Sequence, residues 1–322
     1  MSIGSFTFVL HSHLPYVLQH GKWPHGMDWL NEAASETYIP ILNVLYELID
    51  EGYSPKLTIG ITPVLCEQLA DSFFKEEFKS FLESKIDAAI KDQLFFKKIG
   101  EKQMIRLAEF WEKYYRNIKS DFEKKYNQDL IGAFKKLSDL GYLDIITCGA
   151  THGYFPLLSQ DISIQAQIKT AISTHEKHFG KKPDGIWLPE CAYRPSYKWK
   201  PPVNLPILQE EYLRKGVEEF LSENNIKYFF VDTALTMGGK SLGVYIDRFE
   251  ALKLLWNQFK EQVHERPLEF DKSPYEVYLV ESTGRPEKKP VAIFTRDPKT
   301  SLQVWSGEHG YPGDGLYLDF HK

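Results

Sequence analysis

The stretch "GIWLPECAYRP", residues 185–195, carries a single acidic residue, Glu190, directly behind a short apolar run. Pro189 ends that run, which is typical of a buried strand that stops at a turn. Aromatic residues, Trp187 and Tyr193, stand on both sides of the glutamate. In α/β folds reactive side chains collect at the ends of such strands, so Glu190 is a candidate for chemistry.

Five further runs of the same kind predict a parallel sheet. They read "SFTFVL" (5–10), "KLTIGI" (56–61), "LDIITC" (143–148), "KYFFV" (227–231) and "VAIFT" (291–295). Helical patterns lie between them at 33–50, 162–179 and 208–224, and Gly52 is suited to end the first of these helices. Alternating strands and helices indicate an α/β fold, and six strands favour a (β/α) barrel over an open sheet.

Two stretches interrupt this alternation. Residues 71–137 are helical throughout and rich in Phe, Lys and Glu, and we interpret them as an α-helical insertion after the second strand. Residues 237–290 contain a glycine pair and scattered prolines, which predicts a long loop that acts as a lid. The barrel domain then comprises residues 1–70 and 138–322, with the lid inside it.

The composition limits the class of partner. The 322 residues carry a net charge of −5 and are 43% hydrophobic, which is typical of a globular chain. The negative net charge gives no reason to expect nucleic acid or an anionic membrane as partner. No run approaches the length of about 18 apolar residues that a membrane span needs. The three cysteines form no CxxC pair and the N-terminus lacks signal-peptide features, which predicts a reduced, cytoplasmic protein.

Ionisable residues follow five of the six predicted strands. His11 and His13 stand two apart in an extended segment, so their side chains point the same way. The other strand ends contribute His152, Glu190, Asp232, Arg296 and Asp297. Each alone has an ordinary explanation, such as a turn cap for Asp232 or a local ion pair between Arg296 and Asp297. Together they favour a catalytic pocket, because burial of ionisable groups is costly.

Three kinds of function use such a set of residues. Two histidines with carboxylates can hold a metal such as zinc, as in a metal-dependent polysaccharide deacetylase, although His-x-His alone supplies only two ligands. A glutamate and an aspartate can cleave a glycosidic bond, with Glu190 as nucleophile or acid. A non-catalytic glucan-binding module would use the same polar and aromatic lining, and the aromatic content of 14% fits a ligand that stacks on rings as well as a large core.

Three motifs, "HSHLPY" (11–16), "CGATHGYFPLL" (148–158) and "GIWLPECAYRP", resemble the first three sequence regions of glycoside hydrolase family 57. The runs "KWPHGMDWLNEA" (22–33) and "FTRDPKTSLQVWSGEHGYPGDGLYLDFHK" (294–322) are more similar to its α-1,4-glucan branching enzymes than to its amylases. The resemblance implies an incomplete (β/α)7 barrel and a retaining double-displacement mechanism without metal or other cofactor. It implies amylose or glycogen as substrate, with a 4-α-glucanotransferase or α-amylase activity as the alternative.

Carried over position by position, the resemblance assigns roles to single residues. Glu190 matches the catalytic nucleophile. The positions that match substrate-binding residues are His11, His13, Trp23, His152, Trp187, Arg296 and Trp305. The histidines match the surroundings of the cleaved sugar, the arginine a substrate contact, and the tryptophans the aromatic lining, for which ordinary packing is the alternative.

One part of the family pattern is missing. The acid/base aspartate of the family lies in a fourth region of the form F-D-x-E-x-F-G-H-W, and no such run occurs in this sequence. Aspartates of the second half such as Asp232, Asp247, Asp297 and Asp314 sit in no matching motif. The sequence therefore predicts a chain truncated before the acid/base residue, with an open sheet edge, a missing C-terminal half as a partner, and little transferase activity alone.

Overall fold

The computed structural model describes residues 4–201, 211–236, 254, 272–282 and 289–305. Two compact units divide the chain: the first comprises Met1–Gly153 and Leu158–Pro189, and the second Tyr154–Leu157 and Glu190–Lys322. Within the described ranges, no helix combines the length and the apolar character needed to cross a membrane.

Four parallel strands form the sheet of the first unit, in the order β1-β2-β3-β4. They are β1 (Val9–Ser12), β2 (Leu57–Ile61), β3 (Leu143–Cys148) and β4 (Gly185–Trp187). The central side chains are buried on both faces; Ile59 and Ile145 are each 1% exposed. A parallel sheet requires such cover on both sides, which explains why its strands read as continuous apolar runs in the sequence.

Strand β1 begins later than predicted. The run 5–10 was expected as strand, but Phe6 and Phe8 are 71% and 57% exposed. Only the Phe8 carbonyl extends the ladder, by accepting a hydrogen bond from the Thr58 N–H at 3.0 Å. Because the strand runs to Ser12, His11 lies inside it, opposite Gly60, and not behind its end.

Seven α-helices surround this sheet. They are α1 (Met27–Ala33), α2 (Ile39–Asp50), α3 (Pro63–Ala70), α4 (Ser72–Ile99), α5 (Lys102–Ser120), α6 (Leu130–Asp139) and α7 (Asp161–Phe179). The predicted helix 33–50 begins earlier, at Met27, and a π-helical segment, Ala34–Tyr38, precedes Pro40. Since proline cannot donate a backbone hydrogen bond, the wider turn accommodates it inside a continuous helical stretch.

Most of residues 71–137 is helical as predicted, with breaks at 100–101 and 126–129. Helices α4 and α5 are joined at Gly100, whose φ of 81° gives the left-handed turn that glycine adopts readily. Buried phenylalanine rings hold the helices together: Phe122 lies edge-on to Phe78, with ring centroids 4.8 Å apart, and Phe74 stacks on Phe78 at 5.5 Å. Whether this region is a separate insertion domain stays a prediction.

The second unit contains five short strands and two helices within its described part. They are β5 (Tyr197–Trp199), β6 (Tyr212–Arg214), α8 (Val217–Glu223), β7 (Tyr228–Val231), β8 (Tyr278–Val280), β9 (Val291–Thr295) and α9 (Pro298–Trp305). Strands β7 and β9 are parallel, β8 is antiparallel to β9, and β5 pairs with β6 as an antiparallel ladder.

The predicted helix 208–224 is wrong over its first described part. Tyr212–Arg214 is a strand that pairs with Tyr197–Trp199, and the helix starts only at Val217. Gly216 stands between them as the N-cap of the helix. Its backbone angles are still extended, with φ −64° and ψ 152°. The sequence pattern hid this change because a strand of three residues is too short to show a period of two.

Most of the predicted lid, residues 237–253, 255–271 and 283–288, lies outside the described residues. Its described part contains β8, which was not predicted. Because β8 pairs with β9, the strand "VAIFT" has a neighbour on each side in the second unit, β7 and β8. Among the described strands β8 is then the last in the order, and the predicted open sheet edge stays a prediction.

Candidate active site

Four of the predicted site residues form one cluster in the first unit. The Nε2 atoms of His11 and His152 are 3.3 Å apart, and the ring of His13 stacks on that of His152 with centroids 3.8 Å apart. Trp187, the last residue of β4, stacks on His11 at 5.0 Å. We call His11, His13, His152 and Trp187 the histidine cluster.

The turn that presents His152 is held by helix α7. His152 has a left-handed φ of 59°, which is uncommon for a residue with a side chain. Gln167 of α7 fixes this turn at two points: its side chain accepts a hydrogen bond from the Thr151 N–H at 2.9 Å, and its backbone carbonyl accepts one from the Ala150 N–H at 3.3 Å. Sequence reasoning missed Gln167, since nothing in its helical context distinguishes it from a surface residue.

Thr62 ties His13 to helix α3. Its Oγ1 lies 3.2 Å from His13 Nδ1 and also accepts the Leu65 N–H at 3.4 Å, so that one hydroxyl orients the imidazole and caps the helix. Thr62 is completely buried. The signal that could have found it is its position directly after the strand "KLTIGI" and directly before a proline.

Burial keeps His11 and His13 uncharged. It lowers the pKa of His11 from 6.5 to about 3, with added repulsion from His152 and His13. Burial and then repulsion from His152 lower the pKa of His13 to about 4. Both imidazoles are therefore neutral at physiological pH, and a neutral imidazole offers one N–H donor and one acceptor nitrogen. Such a pair can bind hydroxyl groups, which also donate and accept.

Gly60 of β2 leaves the space that His11 occupies. A Cβ atom at this position would lie 3.1 Å from His11 Nδ1 and 3.5 Å from the Ile146 side chain. The His11 Nδ1 atom is itself buried and has no hydrogen-bond partner among the described residues. The glycine is therefore required by the neighbouring imidazole, not by a turn of the backbone.

Cys148, at the end of β3, adds a third metal-ligating atom to this region. Ring nitrogens of His11 and His152 and the Cys148 sulfur all lie within 4.8 Å of one another. The thiol is fully buried, while both histidines are partly exposed. Across the part of the chain that the structure describes, this is the one group of three such side chains that could hold a metal ion.

Glu190 opens the second unit on an unusual backbone turn. It has φ 56° and ψ 31°, and Cys191 after it has φ 51°, so two consecutive residues with side chains adopt the left-handed conformation. Each such residue costs about 1–2 kcal/mol and persists only where its surroundings enforce it. The Glu190 side chain is exposed, as a carboxylate must be to reach a substrate.

The segment after Glu190 is anchored inside the second unit. The Tyr193 hydroxyl donates to the Glu218 carboxylate at 3.0 Å, and its ring stacks on Phe229 with centroids 5.6 Å apart. Arg194 donates to the Lys215 carbonyl at 2.6 Å. Burial raises the pKa of Glu218. These contacts to α8 and β7 hold the strained turn in place, and sequence reasoning did not identify them.

Asp232 and Arg296 lie close to this turn. Arg296 donates to Asp232 at 2.6 Å, while Asp297 accepts a hydrogen bond from the Tyr275 hydroxyl at 2.8 Å. Arg296 thus pairs across 64 residues, and the local Arg296–Asp297 ion pair that the sequence allowed is not formed. Burial raises the pKa of the Cys191 thiol to about 12, and the charges of Arg296, Asp232 and Glu190 all act on it. We call Glu190, Asp232 and Arg296 the carboxylate–arginine cluster.

Of the remaining predicted residues, Trp23 joins neither cluster. Trp23 is 62% exposed in the segment between β1 and α1. Trp305 ends helix α9, but its side chain lies outside the described part of the chain, as do Asp247 and Asp314.

Comparisons with known proteins give the relatives of this chain. The 1,4-alpha-glucan branching enzyme of Thermococcus kodakarensis is 41% identical over 319 residues, which is 99% of this chain and 42% of that protein. The crystal structure of a GH57-type branching enzyme from Pyrococcus horikoshii matches with a TM-score of 0.79 and 38% identity, over 99% of this chain and 51% of that chain. The alpha-amylase AmyC of Thermotoga maritima matches with a TM-score of 0.70 and 29% identity, over 99% and 50%.

The chain thus spans about half the length of the relatives that it matches. The structural matches to GH57 branching enzymes confirm the predicted α/β class and the (β/α)7-type barrel. A family model described as glycosyl hydrolase family 57 matches residues 7–318, which is nearly the whole sequence. The chain belongs to glycosyl hydrolase family 57.

Proposed function

We propose that this chain is the nucleophile-bearing part of a 1,4-α-glucan branching enzyme, a retaining α-glucan transferase of glycogen or starch metabolism. The observation that carries the proposal is the left-handed turn at Glu190, which presents an exposed carboxylate directly after β4. The comparisons support the substrate class, because the relatives of this chain include branching enzymes at 38–41% identity and an amylase at 29%. Hydrolysis and 4-α-glucan transfer within the same family are the alternatives.

The proposed reaction begins with attack of a Glu190 oxygen on the anomeric carbon of a glucose unit. The glycosidic bond breaks, the leaving oxygen takes a proton from an acid, and a covalent glycosyl-enzyme forms. A 6-hydroxyl of a second glucan chain then attacks the same carbon, gives its proton to the now deprotonated acid, releases Glu190 and creates the branch. The neutral histidines would orient sugar hydroxyls, Arg296 would contact substrate, and Trp187, Trp23 and Trp305 would stack on glucose rings.

A retaining mechanism needs a second carboxyl group about 5–5.5 Å from the nucleophile to act as acid and base. No aspartate of this sequence stands in the pattern of the family's acid/base region. Asp232 is already paired with Arg296 at 2.6 Å, so one of its carboxylate oxygens is occupied. The proposal therefore expects the acid to come from polypeptide other than these 322 residues.

A glucosyl fluoride tests the nucleophile without that acid, because fluoride leaves without protonation. A 5-fluoro-α-glucosyl fluoride should place one sugar on Glu190 as its C–F bond breaks, and peptide mass spectrometry locates the label. Glu190→Gln should abolish labelling. Glu176→Gln, which removes an exposed glutamate of α7, should not. Labelling at another carboxylate, or equal labelling of Glu190→Gln, would refute the assignment.

Product analysis tests the type of transfer. The chain should be joined to the C-terminal remainder of the Thermococcus relative and incubated with amylose. New α-1,6 links support branching, whereas shortened or redistributed α-1,4 chains support amylase or 4-α-glucanotransferase activity. Binding of amylose without any turnover would support a glucan-binding module instead.

A further inference from the structure

We propose that His11, His152 and Cys148 form a binding site for one zinc ion within the histidine cluster. Two imidazoles and a thiolate are a set of ligands that zinc accepts, with water in the fourth position. The site is independent of the proposed glucan chemistry, which requires no metal.

The distances between the ligating atoms suit this ion. On a tetrahedral zinc with Zn–N near 2.0–2.1 Å and Zn–S near 2.3 Å, two nitrogens lie about 3.3 Å apart and a nitrogen and sulfur about 3.6 Å apart. The Nε2 atoms of His11 and His152 are already 3.3 Å apart. The Cys148 sulfur lies within 4.8 Å of a ring nitrogen of each histidine, so we expect small side-chain rotations to bring the three atoms to zinc-binding distances.

The surroundings restrain each of the three ligands. Cys148 is the last residue of β3 and pairs in register with Trp187 of β4, while Trp187 stacks on the His11 ring. The turn that carries His152 is fixed by Gln167. Restraint of this kind lowers the entropic cost of gathering the ligands, and the partly exposed histidines leave a path for the hydrated ion from solvent.

Zinc at this position would occupy the ring nitrogens that the proposed function uses for sugar hydroxyls. The metal would therefore act as an inhibitor and not as a catalyst. That consequence rests on the proposed function, but the existence of the site does not.

Cobalt titration of the 322-residue chain tests the site, because a cysteine ligand gives Co²⁺ a sulfur-to-metal charge-transfer absorption. We expect one Co²⁺ per chain with this absorption, displaced by one equivalent of Zn²⁺. Cys148→Ser should remove the absorption and weaken Zn²⁺ binding by at least about tenfold. Cys66→Ser removes another buried thiol of the same unit and should leave both unchanged.

A second variant guards against misfolding of Cys148→Ser. His152→Asn keeps a residue that tolerates the left-handed backbone and removes one nitrogen ligand, so it should also lose at least about tenfold in Zn²⁺ affinity. Thermal unfolding by circular dichroism establishes that each variant is folded. Absence of the absorption in the unaltered chain, or equal Zn²⁺ affinity in a folded variant that lacks Cys148 or His152, would overturn the proposal.

Discussion

The histidine cluster and the carboxylate–arginine cluster both lie within or just after strands, yet their side chains differ in exposure to solvent. In the histidine cluster, burial removes the charge and lowers the pKa of His11 to about 3. In the carboxylate–arginine cluster the side chains stay exposed, and Asp232 is paired with Arg296 at 2.6 Å.

The difference shows that ionisable side chains near strand ends can lie in either a buried or an exposed environment. The histidines are close-packed against each other and a tryptophan, so their polarity is available to a ligand only as neutral donors and acceptors. The carboxylates and the arginine keep their contact with solvent. A glycosyl transfer needs both kinds of group, because neutral groups position hydroxyls and a charged carboxylate performs the attack.

The largest expected difference between the two clusters is the effect of acid pH on the free energy of unfolding. Because the folded pKa of His11 lies near 3 and its ordinary value is 6.5, the unfolded chain binds a proton between these values that the folded chain excludes. The free energy of unfolding therefore falls as the pH falls through this window, by up to about 1.4 kcal/mol per pH unit. His11→Gln should make that slope shallower by about this amount between about pH 4 and 6.

Urea unfolding at several pH values measures this slope. His20→Gln, which removes an exposed histidine, is the control for loss of an imidazole. If the unfolding free energy of His11→Gln varied with pH as steeply as that of the unaltered protein, folding would not shift the pKa of His11. The two clusters would then not differ in this respect.

Gly60→Ala should destabilise the protein by about 1–2 kcal/mol, because its Cβ would lie 3.1 Å from His11 Nδ1. In a strand interior the same change is otherwise favourable by about 0.5–1 kcal/mol. In a His11→Ala background the cost should vanish, and a double-mutant cycle on unfolding free energies tests this. Equal effects in both backgrounds would show that the glycine does not serve the imidazole.

Glu190→Gly should be more stable than Glu190→Ala by about 1 kcal/mol, since glycine adopts the left-handed conformation without strain. Lys91, exposed in α4, is the matched control, because there alanine should exceed glycine by about 1 kcal/mol. Thermal unfolding of the four variants gives the comparison. The same order at both positions would contradict the strained turn.

The ion pair between Asp232 and Arg296 should contribute least. Both side chains are more than 40% exposed, 44% and 45%, and such pairs are typically worth under about 1 kcal/mol. A cycle of Arg296→Met and Asp232→Asn should give a coupling in that range, reduced further by salt. A coupling of several kcal/mol, insensitive to salt, would place this pair in an environment as dry as that of the histidines.

The long apolar strands could be predicted because burial on both faces leaves a continuous signal. Strands β2, β3 and β9 lie where the sequence indicated. The β5–β6 pair could not be found, since "YKW" and "YLR" mix charged and aromatic residues within three positions. The phenylalanines before β1 led to a predicted strand that starts too early, because an apolar residue is no proof of burial.

The strand ends indicated that His11, His13 and His152 lie near one another, and they do. Trp187, which only the resemblance indicated, stacks on His11, and the functional roles of all four residues stay predictions. The pairing of Arg296 with Asp232 crosses 64 positions, and no local pattern encodes it. Cys148 escaped notice because a buried cysteine at the end of a strand reads as an ordinary small apolar residue.

The hydroxyl of Thr62 touches both His13 and the first turn of α3, so the two share a single point of support. Any ligand that draws the imidazole away from this oxygen weakens or frees the contact to the Leu65 amide. The hydrogen–deuterium exchange rate of the Leu65 amide should therefore report ligand binding near His13, without a label or a turnover assay. Helix α3 would then show a change in amide exchange on ligand binding without itself contacting the ligand.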